Sequence, residues 1–329
     1  MEHKEENRSG IIREVNTNSD LGAVADLIEL CFKDTIDEDG LDYIRYLRRL
    51  STNKEDSLFG INNSQNALAA IQGFVYEVNG KIVGNLSMIP FQKGADFVYL
   101  VANVAVHPDY RRQRIGFDLT AKALKRAKEK SARSVWLQVR DDNPPAINLY
   151  KQMGFIERSR RSTYTFNSRN RIKIPQNNRI KISSRKSEEW IKQKELLAEV
   201  YPPDVRWNLG LQDSRLLPGF WQSLVRFFSG ISIANISVYQ ENQLLGFGSL
   251  ERTALYADNL WIACQEKNDH AVIQAVILQF VNNSFYFRPL TVNFPQNRGE
   301  HLFEALGFKK NHTLIWMEEI LDSSGISLE

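Results

Sequence analysis

Val104-Ala105-Val106-His107-Pro108-Asp109-Tyr110-Arg111-Arg112-Gln113-Arg114-Ile115-Gly116-Phe117 is the stretch from which the fold can be read. Its first residues end a mostly apolar run, Phe97 to Val106, that reads as a strand buried on both faces. Its last residues open a helix whose apolar face is Ile115, Leu119, Ala123, Leu124 and Ala127, with lysines on the other side. Between them lies a tight basic turn. The first N–H groups of a helix have no intrahelical partner. Here they face the turn, together with the positive end of the helix dipole. That arrangement is an anion site of a size to take a phosphate. Gly116 permits close backbone approach, and Arg111, Arg112 and Arg114 add charge.

Downstream, Val135 to Val139 reads as another strand. Asn143-Pro144-Pro145 then opens a short helix, where proline is tolerated because its missing N–H would be unpaired anyway. Ala146, Leu149, Tyr150 and Met153 share one face of that helix, Gly154 ends it, and Tyr164 to Phe166 reads as a closing strand. Upstream, Ile11 to Val15 is a candidate first strand. Asp20 caps a helix with Ala23, Val24, Leu27, Ile28 and Cys31 on its apolar face, and a second helix carries Ile44, Leu47 and Leu50. Phe74 to Val78, Asn79-Gly80 and Lys81 to Ile89 form a hairpin signal. Ile61 to Ala70 reads as a loop and residues 1–10 as a frayed, disordered tail.

The C-terminal half repeats this plan. Glu241 to Gly246 echoes Val78 to Gly84, and Asn297, Phe303, Gly307 and Phe308 echo Asn143, Tyr150, Gly154 and Phe155. Leu260 to Ala263 and Leu290 to Phe294 read as strands, with an amphipathic helix from Ala271 to Val281 between them. The offsets, 162 residues for Gly84 to Gly246 and 153 for Gly154 to Gly307, are too long for a solenoid and indicate two copies of one domain. A length of 329 residues suits two domains.

Composition narrows the classes. Two cysteines, Cys31 and Cys264, exclude a disulfide scaffold, and the five histidines form no metal-ligand spacing, so no metal is expected. No apolar run reaches the length of a membrane helix, and the polar, acid-containing start is not a secretory signal. A soluble, reduced, cytoplasmic protein is expected, with no membrane partner. Arg158 to Lys186 holds ten basic residues and no acid. It reads as a strand edge plus an interdomain linker; without interleaved aromatics or a nucleic-acid motif, no nucleic-acid partner is expected.

Arg111 to Gly116, followed by Asn143, Ala146, Leu149, Tyr150, Gly154 and Phe155, resembles the GNAT superfamily of acyl-CoA N-acyltransferases. The turn matches R/Q-x-x-G-x-G/A with Arg114 in place of the first glycine. The resemblance covers about residues 11 to 166 well and the second half weakly. It implies an α/β fold of two GNAT-like domains in tandem, each a mixed, mostly antiparallel sheet flanked by helices. The domains would run 11–168 and 181–322, joined by a basic linker at 169–180, with the second copy degenerate.

The resemblance also implies site roles. The strand holding Val104, Ala105 and Val106 would splay from Val135 to Val139 and bond the pantetheine arm of acetyl-CoA. The N–H groups of Arg112, Gln113, Arg114, Ile115, Gly116 and Phe117 would cradle the pyrophosphate. Arg111 would brace the turn or meet a phosphate. Asn143 would bond near the pantetheine or orient the next helix. Tyr150 would protonate the leaving thiolate, for which a neutral phenol is in the correct state.

Family members often carry an acid on the strand into Ala105-Val106; here Ala102 and Asn103 stand there, leaving Glu77 and Asp96 as weak candidates to receive the amine proton. In the second copy, Cys264 to His270 has no glycine and two acids, and Phe303 stands where Tyr150 does, so no CoA is expected there. The leading expectation is an N-acetyltransferase that moves an acetyl group from acetyl-CoA to the primary amine of a small molecule or peptide by direct attack. The alternatives are a catalytically silent acyl-CoA-binding or interaction module and a tandem synthase that joins an acyl group to a small amine metabolite. Sequence leaves the acceptor and the oligomeric state open.

Overall fold

The computed structural model describes residues 10–52, 72–167, 172, 174, 178–219, 232–283 and 288–321. Residues 1–9 of the tail, the loop Ile61 to Ala70 and most of the linker 169–180 lie outside the described residues. The chain divides into two compact units. The first holds residues 1–139, 144–156 and 317 onward; the second holds 140–143 and 157–316.

In the first unit, β1 (Ile11–Glu14), β2 (Gly73–Val78), β3 (Lys81–Lys93) and β4 (Asp96–Val106) pair antiparallel in that order, and β5 (Ser134–Arg140) runs parallel to β4. Asn79 and Gly80 both have positive φ, as a two-residue type I′ hairpin turn requires. Helices α1 (Leu21–Phe32) and α2 (Glu38–Thr52) bury Leu21, Val24, Ile28, Ile44 and Leu47 around Val75. Helix α3 (Ile115–Glu129) joins the parallel strands and buries Ile115, Leu119, Ala123 and Ala127. It is seated over β3 at Gly84, where a Cβ would come within 2.8 Å of Ile115. Helix α4 (Pro144–Gln152) is ended by Gly154 at φ +93, with the Phe155 N–H donating to the Tyr150 carbonyl.

The second unit repeats these parts. β7 (Ile180–Ser184), β8 (Ile233–Gln240), β9 (Gln243–Glu251) and β10 (Asp258–Cys264) pair antiparallel, and β11 (Leu290–Pro295) runs parallel to β10. Its helices include α5 (Trp190–Val200), α6 (Asp269–Asn283) and the short α7 (Glu300–Ala305). Gly246, the echo of Gly84, plays the same seating part: a Cβ there would come within 2.8 Å of Val272 on α6.

β6 (Ile156–Phe166), read from sequence as the closing strand of the first copy, pairs antiparallel with β11 from Arg161 to Phe166. Its aromatic residues find aromatic partners there: Tyr164 stacks on Phe303 at 4.5 Å and Phe166 meets Phe308 at 5.1 Å. β12 (Lys309–Ile320) lies beside β6, and its end, from Met317, belongs to the first unit.

Two local readings change. β4 is not buried throughout; Ala102, Asn103 and Val104 are partly exposed. Asp20 stands at the cap of α1 but makes no cap hydrogen bond. Its carboxylate takes the Asn16 N–H and the Arg13 guanidinium instead. Burial opposes the charge on Asp20, but the hydrogen bonds from Arg13, Asn16 and Ser19 outweigh it and hold the carboxyl below its ordinary value. A carboxyl lowered in the folded state stabilises fully above its unfolded pKa of about 3.9, and that contribution is lost as pH falls through the folded value. Asp20→Asn is therefore expected to lower Tm at pH 7 and to lose much of that deficit at pH 3, measured by thermal unfolding at both.

Candidate active site

The site begins with a one-residue slip between β3 and β4. Gly84 faces Val106 and Asn85 faces Ala105, but Ser87 faces Ala102, so β4 carries one extra residue. This is a β-bulge, which bends a strand and re-aims the residues beyond it. Asn103 takes φ +51, a left-handed conformation that asparagine tolerates better than most residues. Two nearly fully buried side chains hold it. The Asn85 amide donates to the Asn103 carbonyl at 2.9 Å, and the Asn103 amide donates to the Ser87 hydroxyl at 3.3 Å. Tyr43 on α2 also hydrogen-bonds Ser87 and Asn103, while its burial pushes its phenol up to about 12.

Pairing of β4 with β5 runs only from Val98–Ser134 to Val101–Leu137. Beyond it, Val104, Ala105 and Val106 continue without a registered partner on that side, as the expected splay requires. Val104 and Val106 are partly exposed; Ala105 is buried against β3. The Val106 carbonyl is already engaged. It accepts the Arg111 Nε at 3.2 Å and the Cys31 thiol at 3.3 Å. Arg111 thus braces the turn. Burial raises the Cys31 thiol, against the pull of Arg111, so it stays protonated at neutral pH.

The turn itself has two left-handed residues, Arg112 (φ +63) and Arg114 (φ +60), with Gln113 between them. Arg114 takes this geometry directly before the first turn of α3 and makes no side-chain cap bond. The N–H groups at the start of α3 are therefore left without a side-chain cap, while Arg111, Arg112, Gln113 and Arg114 are exposed. Ile115 is buried and anchors the helix; Phe117 lies under the Arg114 guanidinium at 4.6 Å. Gly116 is informative. Its φ is not positive, and a Cβ would meet only Leu149 at 3.5 Å and Val106 at 3.9 Å, ordinary contact distances. Neither backbone nor packing demands glycine there, whereas close approach of a phosphate does. These residues fit an acyl-CoA pyrophosphate.

Tyr150 is buried, its ring edge-on to Phe155 at 5.8 Å, and burial raises its phenol far above neutrality, so it is protonated at physiological pH. Leu149, one residue earlier, is the side chain nearest the Gly116 Cβ position, which puts α4 beside the start of α3. Asn143 is exposed, its N–H closing a turn onto the Arg140 carbonyl, and it belongs to the second unit rather than with the other candidates. Both candidate proton acceptors have other neighbours. Glu77 is paired with Arg13, and Asp96 faces Lys93 at the far end of β4, ten residues before Val106. Asn85, Ser87 and Tyr43 are the residues that sequence reading missed; nothing near them in sequence announces the bulge they hold.

In the second unit the corresponding turn, Glu266 to Asp269, opens on a cleft of about 670 Å³ that Glu266, Asp269, His270 and Glu300 help to line. The Asp269 carboxylate is committed to Arg298 and the Cys264 thiol. Among the described residues, no cluster of His, Cys, Asp and Glu could hold a metal ion, and no helix is long and apolar enough to cross a membrane.

The model of the acetyltransferase (GNAT) family matches residues 37–155. This segment is similar to a GNAT domain. An N-alpha-acetyltransferase of Sulfurisphaera tokodaii is 41% identical over 98 residues, which are 26% of this chain and 56% of that protein. The [ribosomal protein bS18]-alanine N-acetyltransferase of Escherichia coli is 39% identical over 62 residues, 19% of this chain and 42% of that protein. The chain thus spans about half the length of these relatives. Two solved structures extend the GNAT likeness over both halves. A GCN5-related N-acetyltransferase from Sphaerobacter thermophilus has a TM-score of 0.57 at 13% identity, covering 95% of this chain and 96% of that one. A tandem GNAT protein from the clavulanic acid biosynthesis pathway has a TM-score of 0.52 at 15% identity, covering 96% and 100%. The fold is tandem GNAT.

A left-handed non-glycine residue costs roughly 1–2 kcal/mol. Arg114→Gly should relieve part of that and raise Tm, whereas Arg114→Val, with its β-branch, should lower it. Thermal unfolding of the two variants checks the sign.

Proposed function

We propose that the protein is a GNAT-type N-acetyltransferase that takes acetyl-CoA as donor and a primary amine as acceptor. The observation that carries this reading is the uncapped, left-handed turn from Arg111 to Gly116, continuous with a strand that leaves its parallel neighbour after Val101. In it, the N–H groups of Arg112 to Phe117 hold the pyrophosphate, and the backbone of Val104 to Val106 aligns the pantetheine arm as an added strand would. Residues 11–168 supply this fold in sequence, 169–180 the linker and 181–322 the degenerate copy. The amine attacks the thioester carbonyl, a C–N bond forms and the C–S bond breaks. Tyr150 gives its proton to the departing thiolate, and the proton lost by the amine leaves to solvent. Most of the rate comes from holding both partners in reacting geometry.

Around the bulge, the side chains of Tyr43, Ser87, Asn85 and Asn103 offer hydroxyls and amides. An α-amino group, with pKa near 8, sheds its proton with less help than a lysine near 10.4. The matched relatives are named for N-alpha-acetyl and ribosomal-protein alanine N-acetyl transfer, which supports an α-amine of a peptide or small molecule as acceptor. Ala102 and Asn103, where family members often carry an acid, favour a second reading, a silent acyl-CoA-binding module.

Calorimetric titration of acetyl-CoA should give a stoichiometry near one that Gly116→Glu abolishes. Tyr150→Phe should keep that affinity and lower amine-dependent release of free thiol by about 10²-fold or more, the usual scale of general acid catalysis. Unchanged turnover removes Tyr150 from the mechanism. Binding with no amine-dependent thiol release favours the silent module.

A further inference from the structure

The two copies share a register at the ends of β4 and β10, although β10 pairs with β9 without the bulge of β4. In the first unit Gly84 faces Val106 at the end of β4; in the second, Gly246 faces Cys264 at the end of β10. Counting back two residues from each strand end, Ile262 stands where Val104 stands. The parallel partner also parts early in the second unit: β10 and β11 are registered only at Asp258–Leu290 and Asn259–Thr291. A wedge between diverging strands has therefore been kept in the second copy.

That wedge holds side chains. The Ile262 N–H donates to the hydroxyl of Tyr201, which follows α5 and is fully buried. On the other side, Arg161 donates from Nη2 to the Asn293 carbonyl at 3.1 Å, from Nε to the Asn293 side-chain oxygen, and from Nη1 to the Val200 carbonyl at 2.8 Å. Asn293 lies on β11 two residues past the last registered pair. The Arg161 guanidinium and the Tyr201 ring lie against each other at 5.0 Å. Arg161 is about 1% exposed and, among the described residues, has no carboxylate partner. Burial lowers its pKa to about 10, the more so with Arg298 near. A buried cation without an anion is expensive unless its hydrogen bonds are all used. Here they serve the carbonyl at the C-terminal end of α5, where the helix dipole favours a cation, and a carbonyl that the departing strand leaves free.

We infer that the second unit is a self-occupied copy of the donor site, in which Tyr201 and Arg161 make from within the strand-edge hydrogen bonds that the pantetheine arm makes in the first unit. The phenol takes the place of an arm carbonyl on Ile262, and the guanidinium takes the place of an arm N–H on Asn293. The chain accordingly takes one acyl donor, and its second wedge is closed by bonds rather than merely lacking a phosphate turn. The inference rests on the proposed function for what the first wedge binds, but its own test does not.

Tyr201→Phe keeps the ring and removes only the acceptor. Hydrogen exchange resolved to single amides should show the Ile262 N–H exchanging at least tenfold faster in this variant, with Phe247 and Leu250 on the neighbouring strand unchanged. An Ile262 amide as protected as in the wild type overturns the inference. Calorimetry supplies the second arm: acetyl-CoA bound to Gly116→Glu at micromolar affinity would mean an open second wedge and overturn it as well, whereas loss of all binding supports it. If the wild type binds no acetyl-CoA, the proposed function fails, and the Ile262 amide still decides whether Tyr201 closes the wedge.

Discussion

A single buried amide sets the geometry of the first unit. Asn85 donates to the carbonyl of Asn103 and so holds a residue in a conformation that costs free energy. The bulge stabilised in this way bends β4 at the point where its parallel pairing with β5 stops. The bulge converts the end of a sheet strand into a free edge. The turn after that edge places the start of α3 at its end. Strand edge and helix start are two forms of the same resource, backbone polar groups that the sheet ladder and the helix ladder do not use; at Val106 part of it is already taken up by Arg111 and Cys31.

The second unit uses that resource internally. It has the same hairpin, the same glycine seat for its crossover helix and the same early parting of parallel strands. Its free edge groups are met by Tyr201 and Arg161, and its turn carries acids in place of arginines. Buried backbone groups must be satisfied by something. In the second copy two side chains take up that duty. The cost of burying Arg161 without an acid is offset by the three hydrogen bonds that its guanidinium makes there.

Much of the fold was legible because its signals are local. Asn79-Gly80 specifies a hairpin, the spacing of Ile115, Leu119 and Ala123 specifies a helix face, and Gly84 and Gly246 mark the repeat. The turn at Arg111 to Gly116 was legible as a basic helix start, although nothing in an arginine foretells that Arg112 and Arg114 would be left-handed. The features that escaped reading depend on distant partners. The bulge needs Asn85, 18 residues from Asn103. The filled wedge joins Arg161 to Asn293 across 132 residues. Asp20 has the residue type and position of a cap, yet Arg13, seven residues earlier, competes successfully for its carboxylate. Glu77 and Asp96 were read as proton acceptors by type alone; the ion pair of Glu77 with Arg13 and the place of Asp96 at the far end of β4 were not legible.

The path of the chain through its two units bears on how the protein is made. The first unit contains the anion turn and Tyr150, and all of that is synthesised within the first half of the sequence. Yet the same unit also includes the chain from Met317, where the Leu321 N–H closes onto the Arg133 carbonyl. At ribosomal rates of 5–20 residues per second, roughly ten to forty seconds separate emergence of the turn from emergence of its last structural piece. During that interval the nascent first unit has a gap in its framework, and β6, already made, has no β11 to pair with. Completion of the unit that holds the anion turn is therefore coupled to synthesis of the other unit.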